Sequence, residues 1–185
     1  MKHSIVYALS FFLIGGMGIF TFFLKQKYDN DRESWKHAAV ILISKQEMKL
    51  RVINFKGDTL FTAPVCVGKI AGNKKGKGDL RTPEGVFKVI DIHNSSAWKH
   101  DFGDGNGEIE GAYGPHFIRL DVPGHKGIGI HGTHLPESIG TRDSEGCIRL
   151  NNNDLENLMA CIRVPMTVII TPSKEDETIN WESQD

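Results

Sequence analysis

Among the 185 residues of this chain, His131 and Cys147 have the types and spacing to do chemistry together, with Cys147 sixteen positions after the histidine. A thiolate is a strong nucleophile, and an imidazole brought beside a thiol takes its proton. The fold, rather than sequence adjacency, must bring the two together. Their stretch, from Gly127 to Leu150, reads GIGIHGTHLPESIGTRDSEGCIRL. Ile128 and Ile130 alternate with glycine, the pattern of a short strand that delivers His131. Cys147 stands between Gly146 and Ile148, where a loop turns back into regular structure. The pair alone also fits a plainer reading, with Cys147 a buried inert thiol and His131 satisfied by a backbone partner.

Other residue sets invite other chemistry. His131, His134 and Cys147, with or without His125, carry atoms that can ligate zinc. A cysteine next to a glycine suits a nucleophile equally, and the reading taken here has no metal and no cofactor. The loop GKIAGNKKGKGD (68–79) is rich in glycine and lysine but lacks the phosphate-loop spacing. It reads as a solvated loop whose Lys74, Lys75 and Lys77 attract an anionic polymer. Asp101, Asp104, Asn106 and Glu108 suggest calcium, without the EF-hand spacing.

The elements that must position the pair are mainly strands. Residues 38–43, 50–55 and 59–67 read as an antiparallel meander, and VFKVIDI (86–92) alternates into another strand. HFIRLD (116–121), the strand before His131 and MTVIIT (166–171) complete the set. Between Cys147 and the last strand, Leu155, Leu158, Met159 and Ile162 recur on one helical face. Asn153 and Glu156 suggest a capping box for that helix. Residues 93–114 form the longest irregular stretch, and residues 172–185 read as a polar, frayed tail.

Lys and Arg total 22 against 23 Asp and Glu, a net charge of -1, which gives no support for a nucleic-acid partner. Three cysteines, Cys66, Cys147 and Cys161, are not a dense disulfide framework. Cys66 and Cys161 sit in apolar settings and read as core residues, with a Cys66–Cys161 bridge as the alternative. Residues 4–24 are 21 uncharged residues, long enough to cross a bilayer as a helix. The stretch exceeds a usual signal-peptide core and lacks a small-residue cleavage pattern, so an uncleaved anchor is expected over a signal segment. Residues 25–37 then form a polar linker to a domain spanning 38–171.

The motif around the pair closely resembles the active-site motif of the L,D-transpeptidases of bacterial peptidoglycan. That pattern matches at His131, Gly132, Thr133, Ser144, Gly146, Cys147, Ile148 and Arg149. Gly68-Lys69 and Thr82-Pro83-Glu84-Gly85-Val86-Phe87 extend the likeness upstream. The departure is Glu145, where many members carry histidine, arginine or asparagine. Pointing inward it opposes thiolate formation; pointing outward it pairs with Arg142 or Arg149.

The resemblance implies a mostly β fold, a two-sheet mixed β-sandwich with one late helix and a long lid-like loop. It implies that the Cys147 thiolate attacks a stem tetrapeptide after its third residue and expels D-alanine, with His131 handling the proton. A neighbouring stem amine then resolves the acyl-enzyme into a 3-3 crosslink. Backbone N–H groups around Gly146 and Cys147 form the oxyanion hole, and the Gly132 carbonyl orients the imidazole. Ser144 and Thr133 support by hydrogen bonds, and Arg149 fixes the cysteine loop or meets a substrate carboxylate. Tyr113 and Trp98 are candidates to line the groove from the lid-like loop, the alternative being that they only pin that loop to the sheet. The expected partners are peptidoglycan stem peptides, with the membrane held through residues 4–24 and the domain facing the wall. The competing readings are an L,D-carboxypeptidase, with water as acceptor, and a non-catalytic wall-binding domain.

Overall fold

The computed structural model describes residues 20–26, 38–103, 105 and 107–182. Residues 20–26 are helical and belong to a unit separate from the one that begins at Ala38. The expected membrane segment 4–24 lies mostly outside the described residues, as does most of the linker. Among the described residues, no helix is long and apolar enough to cross a membrane.

From Ala38 the chain forms β1 (Ala38–Ser44), β2 (Lys49–Asn54), β3 (Thr59–Pro64), β4 (Val67–Gly68) and β5 (Gly85–Asn94). It continues through β6 (Lys99–Asp101), β7 (Glu108–Glu110), β8 (His116–Asp121), β9 (Gly129–His131), β10 (Arg142–Ser144) and β11 (Ile148–Arg149). Helix α1 (Asn152–Met159), strand β12 (Met166–Thr171) and helix α2 (Lys174–Glu182) complete the order.

Eight strands form one mixed, curled sheet in the order β11-β9-β8-β5-β12-β1-β2-β3. The meander β1-β2-β3 is antiparallel, as its alternation requires. The late strand β12 slots between β1, to which it runs parallel, and β5. Every second residue faces the core: Ile41 and Ile43 of β1, Leu50 and Val52 of β2, Val168 and Ile170 of β12 are all buried. Each such side chain contributes roughly 1.5–3 kcal/mol by leaving water. Two-stranded ladders β4–β10 and β6–β7 add to the sheet and complete a mostly β, sandwich-like domain.

The late helix and the C-terminal tail differ from the sequence reading. Helix α1 begins at Asn152, with Asn151 as its N-cap and no side-chain capping bond. The Asn153–Glu156 capping box is therefore not formed, and Glu156 instead reaches His116 at 3.3 Å. The polar tail is not frayed from Thr171: it contains helix α2, because Asp176 is wholly buried. Asp176 Oδ1 lies 3.0 Å from the Nζ of the buried Lys45 and 2.9 Å from Arg142 Nη2. The Ser173 N–H donates to Asp176 Oδ2 at 2.6 Å and the Gly72 N–H to Oδ1 at 2.6 Å. Burial works to raise this carboxyl, but the bonds from Ser173, Gly72 and Lys45 hold it well below the usual carboxylate range.

All three cysteines are free, so Cys66 and Cys161 form no bridge; both are buried.

Candidate active site

Strands β9 and β11 are parallel neighbours, paired as Ile130↔Ile148 and His131↔Arg149. Parallel neighbours cannot be joined by a tight hairpin, so the chain needs a long crossover between them. That crossover, with a 3-10 turn at Pro136–Ser138 and strand β10, accounts for the spacing from His131 to Cys147. Continued two residues back, the register sets Cys147 beside Gly129, on the same face as His131 and Arg149. Both His131 and Cys147 line one cavity of about 930 Å³.

His131 is buried at 3% exposure. Its ring stacks on Phe117 at 5.4 Å and meets the edge of Tyr113 at 4.9 Å. Its Nδ1 lies 2.7 Å from the Gly132 carbonyl oxygen. A carbonyl only accepts, so Nδ1 carries the hydrogen and Nε2 keeps a free lone pair. Burial pushes the imidazole down to about 3, and the charges of Arg149 and His100 act in the same direction. Gly132 must be glycine here: a Cβ would stand 2.2 Å from Asn152 Oδ1 and 2.9 Å from Gly114 Cα.

The Cys147 thiol donates to the Gly127 carbonyl at 3.4 Å. Burial pushes its pKa up, opposed by a backbone bond from Gly129 and by the charges of Arg149 and Lys74. Burial thus favours the uncharged thiol and the uncharged imidazole. Ser144 shapes the loop below it: its Oγ donates to the Cys147 carbonyl at 2.6 Å and accepts from the Gly146 N–H at 3.1 Å. Gly146 takes φ +128, and a Cβ there would meet the Arg81 carbonyl oxygen at 2.8 Å.

Thr133 follows the histidine. Its N–H donates to Asn152 Oδ1 at 2.9 Å, and its Oγ1 accepts from the Leu135 N–H at 2.9 Å. Asn152, the first residue of α1, thus pins the segment that carries His131. Arg149 is buried, with Nη1 3.5 Å from Asp143 Oδ2 and its guanidinium over the Phe102 ring at 5.4 Å.

Glu145 pairs with neither arginine. Arg142 is taken by Asp176 and Glu175, and Arg149 by Asp143. The Glu145 carboxylate instead accepts from His100 Nε2 at 2.9 Å, and the Tyr113 hydroxyl lies 2.9 Å from His100 Nδ1. His100 is on β6, within the stretch expected to be irregular; 99–101 and 108–110 pair there as a short ribbon. Trp98 packs on Phe117 at 5.5 Å and on Tyr113 at 5.9 Å, and both Trp98 and Tyr113 line the cavity.

The sequence reading gave no role to His100, Phe102, Phe117 or Asn152. Nothing in their local pattern marks them, because each acts through partners far along the chain. Among the described residues, no three His, Cys, Asp or Glu side chains converge as metal ligands, so His125, His131, His134 and Cys147 form no such cluster. Of the calcium candidates, Asp104 and Asn106 lie outside the described residues.

The profile of the L,D-transpeptidase catalytic domain matches residues 38–170. Bacillus subtilis YqjB, named as an L,D-transpeptidase, is 37% identical over 98 residues, covering 52% of this chain and 55% of that protein. The chain spans about half the length of the curated relatives it matches. The crystal structure of the helical cell shape determining protein Pgp2 from Campylobacter jejuni superposes with a TM-score of 0.54 at 27% identity, covering 75% of this chain and 49% of that one. The catalytic domain of the E. faecium L,D-transpeptidase has the same fold, with a TM-score of 0.53 at 21% identity over 72% of this chain and 97% of that one. With this profile match and the curled β-sheet around the His131–Cys147 cavity, the chain belongs to the family of L,D-transpeptidase catalytic domains.

Proposed function

We propose that this chain is a cysteine-dependent peptidoglycan L,D-transpeptidase that forms 3-3 crosslinks. The observation that carries the reading is the tautomer of His131: with Nδ1 committed to Gly132, Nε2 is free in the cavity that holds the Cys147 thiol. The sulfur attacks the carbonyl carbon after the third residue of a stem tetrapeptide. A C–S bond forms while the thiol proton passes to His131 Nε2. Collapse breaks the C–N bond, and the departing D-alanine nitrogen takes that proton. The amine of a neighbouring stem then attacks the thioester, gives its proton to Nε2, and leaves an amide crosslink and a regenerated thiol.

Because burial disfavours both charged forms, proton transfer accompanies attack and no ion pair waits for substrate. The oxyanion needs a backbone donor. The Gly146 N–H is already given to Ser144, so the Cys147 N–H is assigned that role. The domain works on the outer face of the cell membrane, held there by residues 4–24.

Intact mass after incubation with disaccharide-tetrapeptide, followed by chromatography of the products, tests the reading. A Cys147-dependent adduct with dimeric product supports transpeptidation. An adduct that resolves only to tripeptide makes the chain an L,D-carboxypeptidase. Binding to sacculi without any adduct makes it a wall-binding domain.

A further inference from the structure

The chain as a whole is close to neutral, at -1, yet its candidate active-site cavity is not. Lys74, Lys75, Lys77, Arg119, Lys126 and Arg149 line it, against Glu145 as the one carboxylate in the lining. Arg149 is engaged by Asp143, Arg119 lies over the Phe117 ring at 5.9 Å, and Glu145 is held by His100. Lys74 is likewise paired, with Asp79, so the excess positive charge in the lining resides on Lys75, Lys77 and Lys126, two of them on the turn from Lys74 to Asp79.

That turn is built rather than loose. Asp79 accepts from the N–H groups of Lys75, Gly76 and Arg81 at 2.6, 3.0 and 3.2 Å. Its Oδ1 also lies 2.7 Å from Lys74 Nζ, and the Lys74 side chain is only 6% exposed. The ammonium is thereby fixed at the cysteine loop: a Cβ on Gly146 would sit 3.4 Å from it. An ammonium has three hydrogens, and Asp79 occupies one direction. Lys75 and Lys77 are exposed on the same turn, and no carboxylate side chain pairs with either among the described residues. Low-dielectric walls lined by one sign of charge concentrate ligands of the other sign.

We propose that the turn bearing Lys74, Lys75 and Lys77 is a carboxylate-binding subsite that selects acyl donors with free carboxylates. This rests on the transpeptidase reading above. A stem tetrapeptide offers two sources of the group. The terminal D-alanine carboxylate lies two bonds from the nitrogen that leaves, and a diamino dicarboxylic acid at the third position, unamidated, carries another on its side chain. Cationic contact with either orients the donor over the sulfur, and amidation removes it.

The test is the rate of Cys147 acyl-adduct formation, read as kcat/KM by intact mass on the full chain. Four disaccharide-tetrapeptides are compared: both carboxylates free, D-alanine amidated, the diamino acid amidated, and both amidated. Wild type is expected to lose about tenfold to a hundredfold on one amidation, the scale of a charge-assisted hydrogen bond. The amide responsible identifies the source. In Lys74→Met, and in the exposed pair Lys75→Gln/Lys77→Gln, that discrimination shrinks to within about twofold. Equal rates on all four donors in wild type, or undiminished discrimination in both variants, overturns the subsite while leaving the role of Cys147 intact. No adduct on any donor removes the transpeptidase reading and the subsite with it.

Discussion

Glu145 and His100 are joined at 2.9 Å between Oε2 and Nε2, so the residue two before the thiol is tied to the β6–β7 ribbon. Through His100 the connection reaches the Tyr113 hydroxyl, and Tyr113 packs its ring against His131. An acidic residue beside a cysteine would raise its pKa, and Glu145 does act in that direction on Cys147. Its contribution comes last of those acting on the thiol, behind burial, Gly129, Arg149 and Lys74. The side chain serves as a tether between loop and ribbon.

His100→Phe and Glu145→Gln are therefore expected to release the ribbon more than the fold. The pair is partly exposed, at 27% and 44%, so screening limits it to about 0.2–1 kcal/mol. Hydrogen exchange should rise within residues 99–110 in both variants, with the core strands unchanged. Unaltered exchange there would show that the pair does not tether the ribbon.

Cys147→Ala should abolish adduct formation outright. His131→Ala should leave the thiol in place and slow acylation by about 10²–10⁴, the range for a lost general base. Single-turnover mass kinetics check both. Full acylation in either variant removes that residue from the proposed chemistry.

The resting pair should titrate as a neutral thiol. Burial lowers His131 to about 3 and raises Cys147 above its ordinary 9.0. Alkylation by iodoacetamide should therefore stay slow across neutral pH and climb only above about pH 9, with no step near pH 6. A midpoint in the neutral range would mean that thiolate and imidazolium already coexist.

Asp176→Ala should destabilise the domain by about 1–3 kcal/mol: the Ser173 and Gly72 N–H groups lose their buried acceptor, while Lys45 keeps Glu84 at 2.7 Å and Arg142 keeps Glu175 at 3.4 Å. Urea unfolding followed by tryptophan fluorescence measures this. The pH dependence has a definite sign. A carboxyl held below its ordinary 3.8 stabilises the fold above that pH, and the contribution is lost as pH falls below it. Wild type should lose stability there more steeply than the variant; parallel curves would contradict the burial of this group.

Asn152→Ala should act at a distance from the thiol. It leaves the Thr133 N–H without its acceptor, at a cost of about 1–3 kcal/mol. Acylation should fall more than alkylation of Cys147, since His131 and not the thiol loses its support. Equal losses in the two rates would count against that division.

The sequence by itself determined the long strands of the main sheet and offered the nucleophile candidate and its histidine. Alternating apolar residues such as Ile41 and Ile43, or Leu50 and Val52, declare a strand locally, because the period of two is set by backbone geometry. The glycines beside His131 and Cys147 are legible for a similar reason: Gly146 answers to its own backbone angle and to a close approach. The pairing of β9 with β11, which sets Cys147 and His131 on one face, is a long-range contact and was decided by the tertiary structure. So was the partner of Glu145, since His100 stands 45 residues away and no local rule prefers it to Arg142 or Arg149. The burial of Asp176, which makes a helix of an apparently polar tail, depends on Lys45, in the turn after β1, and Arg142, on β10, arriving from distant parts of the chain. Local patterns state which backbone a residue adopts; which charges meet is settled only when the sheet closes and water leaves.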